Sequence, residues 1–132
     1  MIKVISLLVF ANVLWLMGCE NNEASTLKSS VTASPVVGVP AEYTKGETVF
    51  NAKCAPCHGP GAQGTNHGPS FLSKIYEPNH HGDSSFHRAV QQGVQAHHWK
   101  FGNMPKIEGV SEQDVNEIIA YVRWLQRQAG IH

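Results

Sequence analysis

No charge of one sign dominates this chain: ten Lys and Arg residues face ten Asp and Glu. The basic surplus with which proteins grip phosphate backbones is missing, so nucleic acid is not an expected partner. Sulfur is scarce, with three cysteines and three methionines. An odd number of cysteines cannot all pair internally, so at least one has another task. No strand-rich stretch and no internal repeat appears, which points away from sheet-built and repeat architectures. The 132 residues leave room for one compact domain and exclude a large multidomain enzyme. Histidine runs the other way: eight of them exceed an ordinary globular mix and need a reason.

Long apolar runs are confined to the N-terminus. Met1–Gly18 carries one charge, Lys3, and then stays apolar from Val4 through Met17. A charged start followed by an apolar run shorter than the ~20 residues of a membrane span reads as an export signal. Its end, Leu16-Met17-Gly18-Cys19, resembles the lipobox of bacterial lipoproteins, whose cysteine is lipidated and becomes the mature N-terminus. The resemblance implies a lipid on Cys19 that anchors the protein at the periplasmic or outer face of a bacterial membrane, each buried CH₂ contributing ~0.8 kcal/mol. Removal of residues 1–18 takes Lys3 and no acid, leaving nine basic against ten acidic residues. It also leaves one methionine, Met104, and two cysteines beyond the lipid-bearing one, Cys54 and Cys57.

Residues 19–42 read as a flexible linker. Glu20–Pro40 is rich in Ser, Thr, Asn and Pro, lacks aromatics, and has no periodicity. The folded domain is expected at 43–132. Thr44 and Glu47 have capping-box spacing and predict a helix of about ten residues through Lys53. Phe86, Ala89, Val90 and Gly93 predict a second helix over Ser84–Gly93, with Asp83 or Ser84 as its N-cap. Ser111 and Asp114 open a third, whose apolar stripe is Val115, Ile118, Ile119, Val122 and Leu125, ending at Gly130. The rest is loop rich in Gly, Pro and His. So little helix buries too small a core on its own, and domains of this kind usually need a disulfide, a metal or a cofactor.

Cys54-Ala55-Pro56-Cys57-His58 is C-x-x-C-H, the pattern of covalent haem c attachment. Two cysteines one helical turn apart can each add to one vinyl group of a haem, while the adjacent imidazole reaches the iron. A thioredoxin-like dithiol would expect a βαβ setting, which is absent. A zinc site would need a second cysteine pair.

With this motif, the domain resembles the class I cytochrome c family, over essentially all of 43–132. The resemblance implies an all-α, class I cytochrome c-like fold, with three or more helices packed around one covalently bound haem c. Gly46 and Phe50 match the family's small-plus-aromatic face on the first helix, and Ile118 and Tyr121 its partners on the last. Gly68-Pro69 matches the segment whose proline carbonyl accepts the proximal imidazole N–H, which would fix the His58 tautomer. Gly102-Asn103-Met104-Pro105 matches the distal loop and makes Met104 the sixth iron ligand. A thioether favours ferrous iron, and an iron filled on both sides suits one-electron transfer.

The remaining histidines are His67, His80, His81, His87, His97, His98 and His132. His97 and His98 are rivals to Met104, with surface or haem-propionate contacts as the plainer alternative. Trp99 is a candidate propionate donor through its indole N–H, or an aromatic packed on the haem edge. Two adjacent histidines on an extended loop point apart, so His80-His81 and His97-His98 could hold a peripheral copper or zinc only if the pairs converge.

The resemblance implies a non-enzymatic electron carrier, docking transiently between a respiratory donor and a terminal oxidase or reductase and tethered to the membrane through Cys19. Two other readings stand beside it. One is a haem sensor or redox-enzyme subunit in which Met104 dissociates to admit a small ligand. The other is a dithiol oxidoreductase.

Overall fold

The computed structural model describes residues 38–132. The export-signal reading of 1–18, Cys19, and the linker as far as residue 37 lie outside the described residues. Four α-helices follow one another: α1 (Thr44–Lys53), α2 (Ala55–His58), α3 (Asp83–Gln92) and α4 (Glu112–Gln128), with single 3₁₀ turns at Ala41–Tyr43, Pro60–Ala62 and Lys74–Tyr76. No β-strand occurs among the described residues; the one extended pairing is an isolated antiparallel bridge between Val94 and Met104. None of their helices is long and apolar enough to cross a membrane.

Helix α4 starts as its sequence predicts. Ser111 Oγ accepts from Asp114 N at 3.1 Å, and Ser111 N donates back to Asp114 Oδ2 at 3.2 Å, a reciprocal cap that satisfies two otherwise orphan donors. Val115, Ile118, Ile119, Tyr121, Val122 and Trp124 are buried along it. The stripe departs from expectation at its end. Leu125 is only half-buried, and the covered face continues through Arg123 and Gln126.

Helices α1 and α4 form the main packing interface. A Cβ on Gly46 would collide with the Glu117 carbonyl oxygen and come within 2.9 Å of Tyr121 Cβ, so glycine alone permits this approach of two backbones. One turn on, Phe50 is fully buried and meets the Tyr121 ring at 5.6 Å between centroids. Ile118 belongs to the same cluster.

Two expected caps are corrected. Thr44 is the first helical residue rather than a cap: the 3₁₀ turn Ala41–Tyr43 runs straight into α1, Tyr43 takes the N-cap position without a side-chain bond, and the Thr44 hydroxyl turns back to Pro40 O at 3.4 Å. Helix α3 begins at Asp83, capped by Gly82 with no side-chain bond. The Asp83 carboxylate is drawn away from a capping role by Arg123 Nε at 2.9 Å, and Ser84 Oγ accepts from Arg88 at 3.1 Å.

Candidate cofactor site

His58 ends the single-turn helix α2 and is 7% exposed. Its Nδ1 lies 2.9 Å from Pro69 O. A carbonyl oxygen only accepts, so Nδ1 carries the proton and Nε2 keeps its lone pair. Burial lowers the His58 pKa against the opposing pull of the Pro69 bond, which keeps the ring neutral and able to act as a donor at neutral pH. The approach of Pro69 depends on its neighbour. A Cβ on Gly68 would sit 2.8 Å from Cys57 O and 3.1 Å from its carbon, so the chain passes α2 closely only because that atom is absent. Thr65 ties the intervening loop down, its hydroxyl donating to Cys57 O at 2.6 Å and its N–H to Gly68 O at 2.9 Å. Phe71 stacks on the His58 ring at 4.2 Å.

Cys54 closes α1 and Cys57 lies in α2, with His58 N donating to Cys54 O at 2.9 Å. The two thiols are not joined. Burial, followed by the neighbouring Cys57, pushes the Cys54 thiol up to about 11. A redox dithiol works through a thiolate of lowered pKa; this environment favours the opposite state.

Met104 comes from a separate loop. Its backbone pairs with Val94 in both directions at 2.9 Å, and Asn103 Oδ1 accepts from Ala96 N at 2.9 Å, which pins the two arms of the loop together. Trp99, at the loop's outer turn, is 37% exposed and donates its indole N–H to Tyr76 Oη at 3.2 Å.

All six residues selected from sequence (Cys54, Cys57, His58, Pro69, Trp99 and Met104) line one cavity of about 720 Å³. That volume suits a cofactor or drug-sized ligand. Phe71, Phe86, Val90 and Ile118 make much of the wall apolar. The donor set is two sulfurs at C-x-x-C spacing, an imidazole with a free Nε2 and a soft thioether, against walls that welcome a flat apolar macrocycle. These residues fit a haem c. His80, His81, His97 and His98 also border the cavity, so the rivals of Met104 share its neighbourhood. His87 instead bonds Asn116 Oδ1 at 3.0 Å, and His67 and His132 lie elsewhere.

Sequence reasoning missed the residues that hold the cavity's outer loop. Arg123 is buried on α4; its guanidinium donates to Tyr76 O at 2.8 Å, to Gln126 Oε1 at 2.7 Å and to His81 O, and it lies 5.1 Å over the Phe86 ring. Gln126, 1% exposed, donates to Phe71 O at 2.9 Å and Tyr76 O at 3.0 Å. The signal was present: Ile119, Val122, Arg123 and Gln126 fall at i, i+3, i+4 and i+7, which puts a cation and an amide on an apolar face.

No curated protein and no solved structure matches the chain. The family model described as Cytochrome c matches residues 43–126, well over half of the chain and the whole stretch from α1 to the buried end of α4. A cytochrome c domain implies a covalently bound haem c, and Cys54 and Cys57 stand at the C-x-x-C-H spacing that would hold it. On that match, with the C-x-x-C-H residues gathered on one cavity, the chain belongs to the cytochrome c family.

Proposed function

We propose that this protein is a membrane-tethered one-electron carrier whose haem iron is held between His58 Nε2 and Met104 Sδ. The observation that carries the reading is the shared cavity: a neutral His58 with its Nδ1–H fixed on Pro69 borders it together with the single thioether of the described residues. Haem c supplies a reversible one-electron iron couple when bound. His58 presents its lone pair, and the Pro69 carbonyl strengthens that donation by drawing on the Nδ1 proton. Met104 offers a weak, soft donor that favours the ferrous state and raises the potential. Phe71, Phe86 and Val90 give the cavity an apolar lining, while Trp99 and Phe101 stay exposed, leaving an apolar edge for brief contact with a redox partner.

The tether follows from the lipobox-like Leu16–Cys19 segment: a lipid on Cys19 would keep the domain on the periplasmic or outer face of a membrane, in reach of a respiratory donor and a terminal oxidase or reductase. The near-balanced charge supports transient, weakly steered docking.

The test is Met104→Ala in the haem-loaded protein. The expected result is no carbon monoxide uptake by the native ferrous protein and, in the variant, loss of the thioether-to-iron charge-transfer band, a lowered midpoint potential and new binding of carbon monoxide. A native spectrum and midpoint in the variant would remove the Met104 ligation. Ready carbon monoxide uptake by the native protein would favour the sensor reading.

A further inference from the structure

Two pairs of adjacent histidines meet at the rim of the cavity. His80 and His81 sit in the turn before α3, their backbone N–H groups donating to Glu77 O at 3.0 and 2.8 Å. His97 and His98 sit in the loop after α3. That loop is closed by the Val94–Met104 pairing at 2.9 Å and joined to the first turn through Trp99 and Tyr76 at 3.2 Å. The sequence required the pairs to converge before they could share an ion, and the fold makes them converge. His80, His81 and His98 each offer a ring nitrogen, and the three lie within 4.8 Å of one another.

We propose that His80, His81 and His98 form a second metal site, separate from the haem, for one imidazole-preferring divalent cation of the copper(II) and zinc class. His80 Nε2 and His98 Nε2 are 3.3 Å apart. A tetrahedral cation with nitrogen ligands at ~2.0–2.1 Å spaces those ligands by about 3.3–3.4 Å, so this pair already has the required bite. A ring nitrogen of His81 lies within 4.8 Å of both. His81 Nδ1 donates to Ile75 O at 2.6 Å, which leaves Nε2 as its lone-pair nitrogen and orients the ring, as backbone carbonyls do for metal-bound histidines. The cluster includes no carboxylate, so hard oxygen-seeking cations such as calcium and magnesium have no purchase there. His80 and His98 are exposed and His81 is half-buried, which leaves an ion an entry path and a coordination position open to water. The His98 pKa is lowered by desolvation and by the neighbouring His97, His81 and His80, which favours the neutral form that a cation needs. Copper(II) should bind more tightly than zinc, following the general order for nitrogen sites.

The experiment uses haem-loaded protein stripped with a chelator. Calorimetric titration with zinc chloride is expected to show one equivalent bound. Titration with copper(II) chloride is expected to give an electron paramagnetic resonance spectrum with nitrogen hyperfine structure. His80→Gln and His98→Gln should each weaken zinc binding at least tenfold, whereas His67→Gln and His87→Gln should leave it unchanged. The haem absorption spectrum, unaltered throughout, reports that each variant is folded. Equal zinc binding by the native protein and the His80/His98 double variant would overturn the site. So would the absence of zinc binding together with a midpoint shift in His98→Gln, because the cluster would then serve the haem propionates. Met104→Ala protein should bind zinc as the native protein does, so failure of the axial-ligand reading and failure of this one are told apart.

Discussion

The crossing of α1 with α4 and the loop shell on either side of α3, residues 71–82 and 93–107, are held by different forces. At the crossing, Gly46 brings two backbones together, and Phe50, Tyr121, Ile118 and Val122 fill the seam without a polar atom in need of rescue. In the shell, the carbonyls of Phe71, Tyr76 and His81 have no helix or strand partner, and side chains of α4 supply the donors: Arg123 and Gln126. Shape complementarity makes the frame. Hydrogen bonds projected from that frame then give irregular loops a fixed position, which is how so short a chain can shape a large cavity. Packing defects at the crossing should therefore unfold the domain, while defects in the projected bonds should loosen the site first.

The largest effect is expected where the backbones meet. Gly46→Val places a branched side chain against the Glu117 carbonyl, a backbone atom that cannot swing aside. Overpacking typically costs about 1–3 kcal/mol where side chains can yield; against main chain the loss should lie at or above the top of that range. Thermal melting followed by helical circular dichroism and by haem absorbance should fall together, by more than ten degrees. A native melting temperature would mean that the crossing is not the frame.

The second prediction separates the two regions. Arg123→Met keeps length and apolar contact but removes the donors to Tyr76 O, His81 O, Gln126 Oε1 and Asp83 Oδ1. Each buried acceptor left without a partner costs roughly 1–3 kcal/mol; Tyr76 O keeps its bond from Gln126 while His81 O and Gln126 Oε1 lose theirs, so a net loss of roughly 2–5 kcal/mol is expected. Its distribution is the informative part. Amide hydrogen exchange should quicken across residues 71–83 well before it changes in the middle of α4. Uniform acceleration would make the shell and the crossing one cooperative unit.

The same division explains what could be read from the sequence. Regular elements announce themselves by period and cap, and α1, the body of α3 and the start of α4 were all legible. The chemical motif was equally plain, since Cys54, Cys57 and His58 fall within five consecutive residues and their spacing is itself the chemistry. Where reading stopped, the determining contact was long-range. That Asp83 would serve Arg123 rather than its own helix depends on residues 40 positions apart. The spacing of Arg123 and Gln126 puts them on the apolar face, but what they bind there, the carbonyls of Phe71, Tyr76 and His81 and the Asp83 carboxylate, lies 40 or more positions away and leaves no mark in the sequence. The meeting of the two histidine pairs likewise depends on how α3 turns the chain back on itself.

The smallest effect should come from the start of α4, at the edge of the frame. Ser111→Ala removes the side-chain half of the cap, and loss of one such cap lowers the melting temperature of a domain this size by roughly 4–8 °C. The deficit should depend on pH in a definite direction. The Ser111 hydroxyl bond, then the Ser111 backbone bond, hold the Asp114 carboxyl below its usual value of 3.8; Lys45 adds to this and partial desolvation opposes it. A group whose folded pKa is depressed binds its proton more readily in the unfolded chain, so its stabilisation is complete above the unfolded value and is lost as the pH falls through the folded one. Native and variant melting curves should therefore be furthest apart above about pH 5 and draw together below pH 4. A gap that stays constant down to pH 2 would show that the hydroxyl acts on the helix backbone alone and not through the Asp114 carboxylate.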